Sequence, residues 1–230
     1  MNIQYIWLAW SISFLIPWLV VYKLAPDHRT VMLKASLITM LFGFTEPLFV
    51  PEYWSPPSLF NLAIETGFDI ESLIFCFGIG GIGAVFYNVI TGQRLQVIPL
   101  SERLSKIHNY HGLALMTPFI VFPIMMLWDW NPIYPAILSM IVGGITNSLC
   151  RPDIAVKSFW GGTIFLAYYT IFVFGLELLV PGYIETVWNL AALSGLFFIG
   201  IPMEELLFAV SFGYYWTGVY EHLTWKQTAS

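Results

Sequence analysis

Long apolar blocks alternate with short polar connections along this chain. A bilayer-spanning helix needs about 20 predominantly apolar residues. The pattern predicts seven such helices, at 3–24, 31–50, 71–91, 111–128, 132–150, 158–180 and 187–220. The last exceeds one span, so its outer end is expected to lie in the interface or to break near Pro202. The first run lacks a basic leading region and a small-residue cleavage site, so it reads as the first helix rather than a removed signal. The predicted fold is all-α, a polytopic membrane protein of seven transmembrane helices.

Composition supports this class. Apolar residues make up 58% and charged residues 10%, against about 25% charged in soluble domains. The net charge of −5 and the absence of a basic patch give no sign of nucleic-acid binding. Cys76 and Cys150 match no metal or disulfide spacing and read as small packing residues. No metal site, dinucleotide fold or stoichiometric cofactor is expected.

Charge placement predicts orientation. All nine Lys and Arg fall in alternate connections: Lys23, Arg29 and Lys34, then Arg94, Arg103 and Lys106, then Arg151 and Lys157, then Lys226. The opposite connections carry only acids, Glu52, Glu65, Asp69, Asp129 and Glu185. Positive charge marks the cytoplasmic side. The N-terminus is therefore expected outside and the C-terminus in the cytoplasm, with the protein in the cell membrane.

The chain also repeats itself. "APDHR" (25–29) parallels "RPDIAVK" (151–157), and "EPLFVP" (46–51) parallels "ELLVP" (177–181). "PEYWSPPSLFNLA" (51–63) parallels "PGYIETVWNLA" (181–191), and "FDIESLIFCFGIG" (68–80) parallels "GIPMEELLFAVSFG" (200–213). The expected domains are a three-helix repeat at 1–95, a cytoplasmic loop and connector helix at 96–131, and a second three-helix repeat at 132–230. One connecting span makes the repeats parallel, related by an axis along the membrane normal.

The repeat pairs Glu46 with Glu177 and Glu71 with Glu204, and leaves Glu205 opposite Ser72. An acid at the bilayer centre costs about 2.5–3.5 kcal/mol on insertion scales, so these groups are expected to face the bundle interior. With no base nearby in sequence, burial and mutual repulsion favour the protonated form that a general acid requires. The same carboxyls could instead serve as neutral hydrogen-bonding glue between helices. Glu71 shares a helix stripe with Phe75, and Glu204 with Phe208, while Glu205 points about 100° away. Such rings could shield a cation.

"PMEELLF" (202–208) resembles the P-x-E-E motif of the small-domain membrane lycopene cyclases, which occur as two short subunits or as one fused chain. The first repeat's "DIESLIF" (69–75) keeps one Glu and lacks the Pro. The resemblance implies a non-redox isomerase of carotenoid biosynthesis. A protonated carboxyl would donate to the terminal double bond of a linear carotenoid. A neighbouring double bond would attack the cation, and proton loss would give the ring. It further implies that Glu204, with Glu205 beside it, supplies or relays the proton. Glu71 would be the counterpart, with Glu46, Glu177, Phe75 and Phe208 in support. The expected partners are membrane lipid and a carotenoid or other isoprenoid substrate, and a homo-oligomer or a membrane-complex partner stays open.

Other classes lack required residues. A CAAX-type intramembrane protease needs Arg where Ala209 stands and His within the spans. A retinal protein needs a mid-helix Lys, and an aromatic prenyltransferase needs Asp-rich diphosphate sites. The alternative that remains is a non-catalytic carotenoid- or lipid-binding subunit of a larger assembly.

Overall fold

The computed structural model describes residues 3–228. The protein is mostly helical. Among the described residues, five stretches are long and apolar enough to cross a membrane: Ile3–Leu24, Pro26–Leu48, Ile70–Thr91, Ile133–Cys150 and Pro152–Leu179. Its longer helices are α1 (Ile6–Ser13), α2 (Leu15–Leu24), α3 (Arg29–Met40), α4 (Ile70–Thr91), α5 (His111–Met125), α6 (Ile133–Cys150), α7 (Pro152–Leu179) and α8 (Met203–Thr224).

Proline chemistry sets several boundaries. Pro17 has no N–H to bond back along the chain, and the first span divides into α1 and α2 around Phe14. The second span tightens into a 3₁₀ segment, Leu41–Leu48, that contains Pro47. Pro152 opens α7, where its missing N–H costs nothing. Only Arg151 separates α6 from α7, so Lys157, expected in a surface connection, is a helix residue and is buried.

The expected final helix at 187–220 is corrected. The chain from Trp188 to Pro202 is irregular, and α8 starts at Met203. Gly195 and Gly200 take φ of 73° and 81°, left-handed values that stop a helix and that glycine adopts without penalty. On either side of Gly200, β2 (Phe197–Phe198) and β3 (Ile201–Pro202) form an antiparallel pair, closed by a bond from Met203 N to Leu196 O at 2.9 Å.

The chain divides into two compact units. One runs to Ile82 and adds Asn131–Ile133 and Tyr169–Leu206. Its core is aromatic, with Trp7, Trp10, Phe14 and Trp18 buried. Trp18 Nε1 donates to Ser36 Oγ at 2.8 Å. A Cβ at Gly80 would collide with the Thr39 side chain, so glycine there permits α3 and α4 to touch.

The other unit holds Gly83–Trp130, Tyr134–Tyr168 and the chain from Leu207 onward. Tyr215 Oη donates to Leu115 O at 2.8 Å, fastening α8 to α5. Strand β1 (Leu95–Val97) pairs antiparallel with β4 (Lys226–Thr228). Buried charges here are matched. Lys157 Nζ bonds Glu221, whose Oε1 also accepts from Asn88 Nδ2 at 3.0 Å. Arg151 grips Asp153 with two bonds, at 2.7 and 2.5 Å.

Candidate active site

Pro202 marks the start of α8, which puts both Glu204 and Glu205 in its first turn, where the helix dipole favours an acid. The two side chains then part. Glu204 Oε1 accepts the backbone N–H of Ser194 at 2.8 Å and so holds the irregular segment before the helix. Glu205 turns into the aromatic core.

Glu205 is 3% exposed and receives three hydrogen bonds. Tyr53 Oη and Trp188 Nε1 (2.7 Å) donate to Oε1, and Tyr169 Oη donates to Oε2 at 2.6 Å. These donors are two phenols and an indole, none of them a cation. Burial first, and the Glu205 carboxyl second, push the Tyr53 hydroxyl well above the usual tyrosine range, so this donor stays protonated around neutral pH.

The first repeat's acids lie in the same unit. Glu71 occupies the first turn of α4, is fully buried, and accepts the Leu59 N–H through Oε1 at 2.6 Å. This is the part Glu204 plays for Ser194. Glu177 accepts the N–H groups of Gly182 and Ile184 at 2.6 and 3.1 Å and ties down the turn after α7. Glu46 is buried beside Ser72 and Trp54, within electrostatic reach of Asp69 and Glu71.

Three indoles join the two groups of acids. Trp7 Nε1 donates to Asp69 Oδ2 at 3.3 Å, and its ring meets Trp54 edge-on at 4.6 Å. Trp54 lies 5.4 Å from Trp188, which bonds Glu205. The chain backbones agree: Ser55 N donates to Val187 O and Asn189 N to Tyr53 O, at 2.8 and 2.9 Å.

Phe75 sits inside an aromatic shell. The ring centres of Trp7, Trp10, Phe14 and Tyr169 lie 5.7, 5.7, 5.2 and 6.3 Å from its own. Beside the shell a groove of about 300 Å³ runs between α1 and α7, lined by Ile6, Trp10, Ile171, Phe172, Leu176 and Leu179 among others. The lining is almost wholly apolar. Phe208, half-buried, belongs to the other unit and stacks on Phe212 at 6.0 Å.

The sequence singled out the acids and Phe75 but missed Tyr53, Tyr169, Trp188 and Trp7. These meet Glu205 or Asp69 across 152, 36, 17 and 62 positions. No local spacing carries such pairings. Among the described residues, His108, His111 and Cys150, in the other unit, bring one ligand atom each within 4.8 Å of one another.

Residues 131–223 match the family model described as lycopene cyclase, which supports a lycopene cyclase domain in this part of the chain. That domain supports a carotenoid cyclase role in general. No curated protein and no solved structure matches the chain.

Proposed function

We propose that this protein cyclises the end group of a linear, lycopene-type carotenoid without redox change, and that Glu205 supplies the proton. The carboxyl O–H bond breaks as its proton adds to the terminal double bond, leaving a tertiary cation. An internal double bond attacks that cation and closes the ring. Loss of a ring proton to the carboxylate restores the acid, so nothing is consumed.

The observation that carries this reading is the enclosure of Glu205 by Tyr53, Tyr169 and Trp188, with no cation among its donors in the described residues. The three donors can stabilise the carboxylate left after proton transfer. The Tyr169 ring leads from that carboxyl to the shell around Phe75, whose π faces can stabilise a passing carbocation. The apolar groove beside Trp10 suits the hydrocarbon that must enter. Glu204 and Glu71 support the site by holding the segments before their helices, and Glu177 holds the turn after α7.

The membrane arrangement in this proposal has seven spans in two parallel three-helix repeats, with α5 as connector and α8 as the last span. The N-terminus lies outside and the C-terminus in the cytoplasm. It is supported by the alternation of basic and acidic connections.

The test is expression in a lycopene-accumulating cell, with pigments read by chromatography. Wild type should yield cyclic carotenoid and Glu205→Gln only the linear one. A wild type that forms no ring but co-purifies with unreacted carotenoid would favour the binding-subunit reading instead.

A further inference from the structure

We propose that His108, His111 and Cys150 bind a zinc ion, at a site separate from the acid-bearing unit. His108 ends a 3₁₀ turn just before α5, His111 is the first residue of α5, and Cys150 ends α6. Cys150 is buried, and one ligand atom from each residue falls within 4.8 Å of the others.

The two sulfur–nitrogen separations are those of ligands around an ion. A tetrahedral zinc with bonds of about 2.3 Å to sulfur and 2.0–2.1 Å to nitrogen sets S···N edges near 3.6 Å and N···N edges near 3.3 Å. Cys150 Sγ lies 3.6 Å from His108 Nδ1 and 3.7 Å from His111 Nδ1. His222 Nε2 lies 3.1 Å from His111 Nδ1, which makes His222 the nearest fourth donor. His222 is fully buried.

The surroundings prepare His111 for this task. Its Nε2 faces the backbone carbonyl of His222 at 3.0 Å. A carbonyl only accepts, so the proton sits on Nε2 and the Nδ1 lone pair points toward Cys150. Fixing the tautomer through the far nitrogen is the usual outer support of a zinc-bound imidazole. Trp225 stacks on the His111 ring at 3.7 Å, 8° from parallel, and sets its plane. The neighbouring Arg151 is ion-paired to Asp153.

A thiolate with imidazoles selects zinc over calcium or magnesium. The ion would tie three distant parts of the chain together, before α5, at the end of α6 and at the end of α8, which is a structural role.

The test uses the full-length protein purified in detergent without chelator. Elemental analysis should find about one zinc per chain. After chelator stripping, titration with Co²⁺ should give thiolate-to-cobalt charge-transfer absorption, absent in Cys150→Ser. Stripping should lower the thermal midpoint of the wild type by several degrees. Should Cys150→Ser fail to fold, His108→Asn, which keeps the thiolate, should still weaken Co²⁺ binding at least tenfold. Zinc below about a tenth per chain with no Co²⁺ absorption by the wild type would overturn the proposal, as would copper in place of zinc.

Discussion

Tyr169 donates its hydroxyl to Glu205 Oε2 at 2.6 Å, while its ring lies 6.3 Å from Phe75. One side chain thus touches both a buried carboxyl and the aromatic shell. A proton donor and a cation-stabilising wall are useful to a cyclase only if they adjoin, because the cation forms where the proton lands.

The two adjacent acids should therefore separate experimentally. Glu205→Gln keeps the size and one acceptor oxygen but removes the acid. General acid catalysis contributes about 10²–10⁴-fold, so ring formation should fall at least a hundredfold with protein yield unchanged. Glu204→Gln still offers an oxygen to the Ser194 N–H and should stay within about tenfold of wild type. Carotenoid ratios in cells of matched protein level measure both. Equal loss in the two variants would remove Glu205 from its assigned role.

Removing a donor from Glu205 should be milder than removing the acid. Tyr169→Phe preserves the ring beside Phe75 and deletes one hydrogen bond to a buried carboxyl, at a cost of about 1–3 kcal/mol. A ten- to hundredfold slower cyclisation is expected, with Tyr53→Phe behaving alike. Initial rates of ring formation in isolated membranes are the readout.

How much of this the sequence carries depends on range. Apolar length and basic connections are local signals, and α4, α5 and α6 begin and end within a few residues of expectation. Residues 188–202 read as helix because "LSGLFFIGIP" is apolar, yet Gly195 and Gly200 turn it into a hairpin. Hydrophobicity reports burial in lipid or protein, while glycine conformation decides the backbone. The acids were visible as charges in apolar surroundings. Their partners were not, since Tyr53 reaches Glu205 across 152 positions, and His111 meets Cys150 across 39.

Close packing of α3 on α4 gives a further prediction. A methyl group at Gly80 has no room beside Thr39. Overpacking of this kind costs about 1–3 kcal/mol. Gly80→Ala should lower the thermal midpoint in detergent, and the double variant Gly80→Ala/Thr39→Ala should recover most of the loss. Recovery isolates the Thr39 contact as the cause, which a general loss of helix stability would not produce.

Lys157 and Glu221 test whether buried charge is tolerated only as a pair. Lys157 is 4% exposed and Glu221 fully buried, and Asn88 completes the group. Removing one partner leaves an uncompensated buried charge, worth about 3–5 kcal/mol of destabilisation. Lys157→Met should therefore lose much of the folded protein on heating. Lys157→Met/Glu221→Gln removes both charges and keeps an acceptor for Asn88, so it should be more stable than the single variant. Because Glu221 lies 16 positions beyond Glu205 on α8, well over one helical repeat away, the double variant should also retain ring formation. Thermal aggregation curves and carotenoid ratios on the same three proteins decide both points. A double variant no better than the single one would show that the ion pair is not what holds this end of α8.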